Sequence, residues 1–211
     1  MKKIYAEGHR GYAAKYPENT MLSFEAAMEL GVDAIEFDVW LSTEKVPVII
    51  HDGNCKRTCG VDAHVNNMTV AEIKALSAHY AEKFGDQYAD MHVTIPTLEE
   101  LLILRKAKRP DLWLGVEIKE YTEECVDKTV ALLKQYGVFD MCFFYAFDAN
   151  IIKYLYTQYD ARTMGYPDFQ MRNYQPKWRL VRYHILLFLL LIQGRLLCVE
   201  FVIVFVFGRD L

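Results

Sequence analysis

The sequence predicts an α/β fold built from βαβ units with parallel strands. Two observations carry this. Over the first 165 residues, short β-type runs alternate with helical segments of about three turns, which implies crossover connections and parallel pairing. In addition, the polar residues that stand out (His9, Glu36, Asp38, His51 and Glu117) fall in or at the ends of the β-type runs, where parallel folds place their sites. After Trp178 the alternation stops and Leu, Val, Ile and Phe dominate.

Taken in order, Ile4-Tyr5-Ala6 is a short strand running into Gly8-His9-Arg10-Gly11. A helix is expected over Thr20–Leu30, with Leu22, Ala26 and Leu30 on one apolar face and Gly31 as its stop. Ala34–Trp40 alternates as a strand, and Val46–Ile50 is a β-branched run ending at His51. The segment from Gly53 to Met91 exceeds a plain βα connection and is expected to form a small helical insertion with a helix over Val70–Leu76. Pro96-Thr97 leads into a helix over Leu98–Leu104, followed by a strand over Leu112–Ile118. A helix over Thr122–Tyr136, stopped by Gly137, precedes a strand over Met141–Tyr145 and a helix over Ala149–Tyr156. Ala161–Gly165 makes the fifth strand of the parallel set.

The chain has 211 residues and a net charge of −4. That length suits one domain with a sizeable core but is short for a complete eightfold barrel, which takes roughly 250 residues. So mild a charge carries no basic face of the kind that binds nucleic acid. The five cysteines, Cys55, Cys59, Cys125, Cys142 and Cys198, are scattered; the lone C-x₃-C has no second pair to complete a zinc site, and they read as reduced thiols of a cytoplasmic protein. The start, MKKIYAEGHRG, has no apolar stretch resembling a signal peptide.

Glu36 and Asp38 stand two apart in a strand, so both carboxylates face one way. Side by side in a core they repel, and a hard, oxygen-preferring cation such as Mg²⁺ or Ca²⁺ relieves this, with Glu117 as a third ligand; the competing reading pairs them with Lys or Arg on a half-exposed strand. His9 and His51 each end a β-type run, and paired histidines suit general acid–base chemistry. Arg10 offers a planar fork for phosphate oxygens, and Lys119 shares the face of Glu117. His64, His79, His92 and His184 read as surface or packing residues.

HRGYAAKYPENT (9–20), EFDVWLSTEKVPVIIHD (36–52), IPTLEELL (95–102) and VEIK (116–119) together resemble the glycerophosphodiester phosphodiesterase family in words, order and spacing, over roughly residues 1–170. The resemblance implies a (β/α)₈ TIM-type barrel and the hydrolysis of small-molecule glycerophosphodiesters to sn-glycerol 3-phosphate and an alcohol. It assigns a divalent metal, Mg²⁺ or Ca²⁺, to Glu36, Asp38 and Glu117, acid–base roles to His9 and His51, and phosphate contacts to Arg10 and Lys119. The family's free glycerol hydroxyl attacks phosphorus, and water opens the resulting cyclic phosphate. Glu18 and Asn19 are expected to fix the loop after the first strand.

The barrel is expected to be incomplete or altered after the fifth strand. Only 46 residues follow Gly165, where three βα units of roughly 30 residues each would stand, and the family's tryptophan-bearing late strand has no counterpart. Unpaired strand edges would then favour a homodimer or instability. The tail, 171–211, holds two apolar runs, Ile185–Ile192 and Phe201–Phe207, each shorter than the ~18 residues of a membrane span. Its alternative readings are membrane association, a hydrophobic hairpin, or the product of a frameshift in an inactive relative.

Overall fold

The computed structural model describes residues 5–166 and 170–174, and 196–199 and 202–205 as backbone strands. Five strands run parallel as a curled half-barrel: β1 (Tyr5–His9), β2 (Ala34–Leu41), β4 (Trp113–Ile118), β5 (Cys142–Tyr145) and β6 (Thr163–Met164), each hydrogen-bonded to the next. This is the expected set of five and an incomplete (β/α)₈ barrel. β2 is buried almost throughout, as a central strand of a parallel sheet covered on both faces must be.

The helices lie between the strands and start on side-chain caps. Thr20 caps α1 (Met21–Leu30), and Thr97 with Glu100 makes a capping box on α5 (Leu98–Lys108). Thr122 caps α6 (Glu123–Gln135), and Asp148 caps α7 (Ala149–Tyr159). The main core gathers Phe24, Phe37, Leu101, Val116, Val130 and Leu155 between sheet and helices. The expected apolar face of α1 is corrected: Leu30 is 62 % exposed, and Phe24, Ala27 and Met28 are buried instead. Two i, i+4 stripes compete on this helix, and the one carrying the large Phe24 ring, which packs edge-on against Phe37 at 6.3 Å, faces the sheet.

Val46–Ile50 does not join the parallel set. Its core, β3 (Pro47–Ile49), pairs antiparallel with β2. A parallel crossover needs a dozen or more residues, and Ser42–Val46 is far too short. Ser42 Oγ accepts from the backbone N–H of Glu44 and Val46 and tightens this turn. Residues 53–91 carry three short helices, α2 (Lys56–Cys59), α3 (Val70–Lys74) and α4 (Ala81–Phe84), over a second core of Val48, Ile50, Cys55, Val65, Ile73 and Tyr88. Cys55, Cys59, Cys125 and Cys142 are free thiols.

On the other edge of β1, β8 (Val202–Phe205) pairs antiparallel and in turn pairs with β7 (Leu196–Val199). This backbone hairpin pairs Leu196–Val199, not the run Ile185–Ile192, with the second apolar run; Ile185–Ile192, Trp178 and His184 lie outside the described residues. Among the described residues no helix is long and apolar enough to cross a membrane.

Two registers bring polar side chains of neighbouring strands together. β1 aligns His9 with Glu36, and β4 aligns Gly115 with Glu36 and Glu117 with Asp38. Position 115 must be glycine: a Cβ there would stand 2.6 Å from Glu7 Oε1 and 3.2 Å from Glu36 Cβ. Glu7 faces the same way as His9 and is 4 % exposed, with a long contact of 3.5 Å from Tyr145 Oη. Burial pushes its carboxyl from 4.5 up to about 8. The unfolded carboxyl ionises near 4.5 while the folded one keeps its proton to about 8. Stability from this group is therefore full below pH 4.5 and is lost as pH rises to 8. Glu7→Gln should leave stability unchanged near pH 4.5 and raise it by on the order of 3 kcal/mol at pH 7, with a flatter pH profile. Denaturant unfolding at pH 4.5, 6 and 8 measures this; parallel profiles for the two proteins would refute it.

Candidate active site

The site forms where β1 and β4 end, along β2, and where the chain leaves β3. Glu36 and Asp38, two apart on β2, and Glu117 on β4 are 5 %, 0 % and 4 % exposed, and one carboxylate oxygen from each lies within 4.8 Å of the others. The expected trio is thus brought together. Their partners are few. Glu36 Oε2 accepts from the Arg10 backbone N–H at 3.1 Å and stands 3.7 Å from His9 Nε2. Asp38 Oδ2 accepts from Asn19 Nδ2 at 2.7 Å, with Arg10 Nε at 3.4 Å.

Lys119 Nζ lies 2.8 Å from Glu117 Oε1 and 3.3 Å from Asp38 Oδ1. One ammonium thus serves two carboxylates, and Glu36 Oε1 has no hydrogen-bond partner. Three buried carboxylates in one cluster, with a single ammonium between two of them, fit a hard divalent cation.

The electrostatics agree. Burial, and then the charges of Asp38, Glu117 and Glu7, push Glu36 well above the carboxylate range. Burial and Asp38 raise Glu117 as well, against the pull of Lys119. Lys119 is raised in turn, because Asp38 and Glu117 outweigh the burial that acts to lower it. The His9 imidazole is pushed down to about 4 by burial and then by the Arg10 charge, so it is neutral at pH 7.

The loop after β1 delivers three of these contacts. Gly11, at φ +79°, crosses α1 so closely that a Cβ would meet Ser23 at 2.5 Å, and the turn is held by Ser23 Oγ donating to the Arg10 carbonyl. Arg10 and Asn19 both take positive φ. Glu18 and Asn19, expected only to fix the loop, also reach the site: Asn19 through Asp38, and Glu18 by accepting from Arg10 Nη1 at 3.0 Å.

His51 follows Ile50, whose N–H donates to the Asp38 carbonyl, and Trp40 Nε1 donates to the His51 carbonyl. Its Nδ1 stands 2.6 Å from Asp52 Oδ1, which directs Nε2 as the free ring nitrogen once Nδ1 carries the proton. Of the remaining described histidines, His64 packs edge-on against Trp40 at 5.1 Å, His79 contacts Ser77 Oγ and His92 is exposed. Asp52, the last residue of the motif 36–52, joins the site, and so does Arg57, which has no sequence signal of its own. Arg57 donates to Asp52, Glu18 and Tyr80 at once. No local pattern marks it, because its partners lie 5, 39 and 23 residues away.

Residues 9–171 match the family model of the glycerophosphoryl diester phosphodiesterase family. A glycerophosphodiester phosphodiesterase of Caldanaerobacter subterraneus subsp. tengcongensis is 41 % identical over 117 residues, which is 56 % of this chain and 46 % of the relative. A solved protein of Silicibacter pomeroyi, assigned by name to the glycerophosphoryl diester phosphodiesterases, is 25 % identical and superposes with a TM-score of 0.73 over 85 % of this chain and 71 % of its own. A phosphodiesterase of Oleispira antarctica, solved in complex with the product sn-glycerol-3-phosphate, is 30 % identical with a TM-score of 0.66, covering 75 % of this chain and 63 % of its own. The chain spans about half the length of the curated relatives it matches.

The crowded carboxylates yield a direct expectation. Glu36→Gln removes one mutually repelling charge, so the metal-free variant should melt higher than the wild type at pH 8. Mg²⁺ or Ca²⁺ should stabilise the wild type by about 2.7 kcal/mol at a hundred times Kd and the variant far less. Thermal unfolding of both proteins with EDTA and with each cation tests this; equal cation shifts would remove Glu36 from the ligand set.

Proposed function

The chain belongs to the glycerophosphoryl diester phosphodiesterase family, and on that premise we propose that it hydrolyses glycerophosphodiesters to sn-glycerol 3-phosphate and an alcohol with the help of a divalent cation. On this reading residues 1–170 form the phosphodiesterase-like domain, with 53–91 inserted, and 171–211 are a distinct apolar tail. The observation that carries the reading is the cluster of three buried carboxylates, Glu36, Asp38 and Glu117, next to His9, Arg10 and Lys119.

Glu36, Asp38 and Glu117 would hold Mg²⁺ or Ca²⁺. A cation bound there supplies charge neutralisation at the phosphate and eases loss of the proton from the glycerol hydroxyl. The rest falls to side chains. The Arg10 guanidinium is anchored by Glu18 and carries Nε without a hydrogen-bond partner, so it has a donor to offer a phosphate oxygen. Lys119 stands against the carboxylates, where it would meet a second phosphate oxygen. His9 stands 3.7 Å from Glu36, and His51 follows Ile50, whose N–H donates to the Asp38 carbonyl, so both border the carboxylate cluster. One takes the proton of the attacking hydroxyl while the other protonates the departing alkoxide. Asp52 fixes the tautomer and direction of His51 for either role.

The half-barrel favours a second reading, an inactive relative that keeps the site but not its walls. Purified protein should release sn-glycerol 3-phosphate from glycerophosphocholine in Mg²⁺ or Ca²⁺ and stop in EDTA. His9→Ala and His51→Ala should each lower kcat by about 10²–10⁴. A folded wild-type sample that releases no product with either cation defeats the first reading and leaves the second.

A further inference from the structure

Resting on the phosphodiesterase reading, we propose that Arg57 is a positioning residue that sets both the phosphate-facing Arg10, through Glu18, and the acid–base His51, through Asp52. Its guanidinium is engaged on every nitrogen. Nη2 donates to Glu18 Oε1 at 2.8 Å, the same oxygen that accepts from Arg10 Nη1 at 3.0 Å. Nε donates to Asp52 Oδ2 at 2.5 Å, and the other oxygen of that carboxylate holds His51 Nδ1 at 2.6 Å. Nη1 donates to Tyr80 Oη at 3.0 Å, with the guanidinium carbon 5.2 Å from the Tyr80 ring centroid. One planar cation therefore joins two chains of contacts that approach the site from opposite sides, the loop after β1 and the residue after β3.

The geometry demands arginine rather than a positive charge in general. Glu18 and Asp52 are reached in two directions at once, and Tyr80 in a third; a lysine ammonium has a single centre and cannot span them. The network is also set apart from an ordinary surface ion pair by its depth, since the Glu18 side chain is 8 % exposed. Burial alone would raise both carboxyls, yet hydrogen bonds from Arg57 hold Glu18 and Asp52 below the usual carboxylate range.

The consequence of removing Arg57 depends on what each partner does next. Glu18 would be left with Arg10 as its sole cationic partner here and would draw that guanidinium off the Asp38 side, away from the phosphate. Asp52 would lose the contact that fixes its plane, and with it the direction of the His51 ring. Arg10 acts on substrate affinity and His51 on the proton transfers, so both KM and kcat should change. A purely structural role would lower the folded, active fraction and hence the apparent kcat, with KM unaltered. The short helix α2 thereby makes residues 53–91 part of the site, although none of them touches the carboxylate cluster.

The test uses the full chain with Arg57→Met and Arg57→Lys, the second keeping the charge and guarding against a misfolded first variant. Side-chain ¹⁵N spectra come first, because they need no turnover. In both variants the His51 ring and Arg10 Nε signals should shift, while those of His79 and His92 stay in place. Unmoved His51 and Arg10 signals overturn the proposal whatever the activity. In glycerophosphocholine hydrolysis, Arg57→Met should lose about 10²-fold in kcat/KM, with KM raised several-fold and kcat lowered, and Arg57→Lys should recover less than a tenth of the loss. Full recovery by lysine, or a fall in kcat at constant KM, overturns it. If the signals move but the wild type turns over no substrate, the positioning geometry stands and the phosphodiesterase reading fails.

Discussion

The repulsion among Glu36, Asp38 and Glu117 is the constraint around which the rest of this half-barrel is arranged. Three carboxylates at 5 %, 0 % and 4 % exposure are costly, since each ionised group is taken from water and set beside the others. The fold gives them no escape. β2 puts two of them on one face, and the β2–β4 register puts the third opposite Asp38. What surrounds them answers that cost: Lys119 against two of them, Arg10 and Asn19 against Asp38, and the Arg10 backbone N–H against Glu36. The compensation is partial, since one ammonium serves two carboxylates and Glu36 Oε1 has no partner.

Arranging that much polarity in a core imposes steric demands on positions that do no chemistry. Gly115 leaves room for Glu7 and Glu36, and Gly11 lets the loop lie on α1 so that the Arg10 N–H reaches Glu36. Glu7, on the same face, has no cationic side chain to balance it among the described residues, and burial makes it hold its proton up to about pH 8. The two ways of carrying a buried acid, neutralised by charge or kept protonated, thus stand side by side on β1 and β2.

The inner part of this arrangement is legible in the sequence and the outer part is not, for physical reasons. A carboxylate pair two apart in a strand announces a shared face, and a histidine at a strand end announces a rim, because strand periodicity is local. The five parallel strands are readable from the same periodicity and from glycine and threonine at helix ends. Hairpin pairing of Pro47–Ile49 is also within reach, since loop length alone forbids a crossover there. The buried face of α1 departs from expectation because a ten-residue helix holds two overlapping apolar stripes, and the sheet chooses between them. Arg57 has no local signature at all: its role exists only once residues 18, 52 and 80 have been folded together.

The half-barrel and the intact cluster are compatible because of where the cluster's residues come from. All seven of the expected site residues lie on or just beyond β1, β2, β3 and β4, and Arg57 belongs to the segment after β3. These elements are mutually paired and draw on two cores, so most of what positions the carboxylates, the histidines and Arg10 comes from them. Later βα units of a closed barrel would instead supply the far wall. In this chain the far edge of β1 is taken by an antiparallel hairpin, so the barrel cannot close there in the parallel manner. The proposed cation site rests on carboxylates of β2 and β4, whereas the proposed turnover also draws on whatever encloses the substrate, so the two are separable properties of this fold.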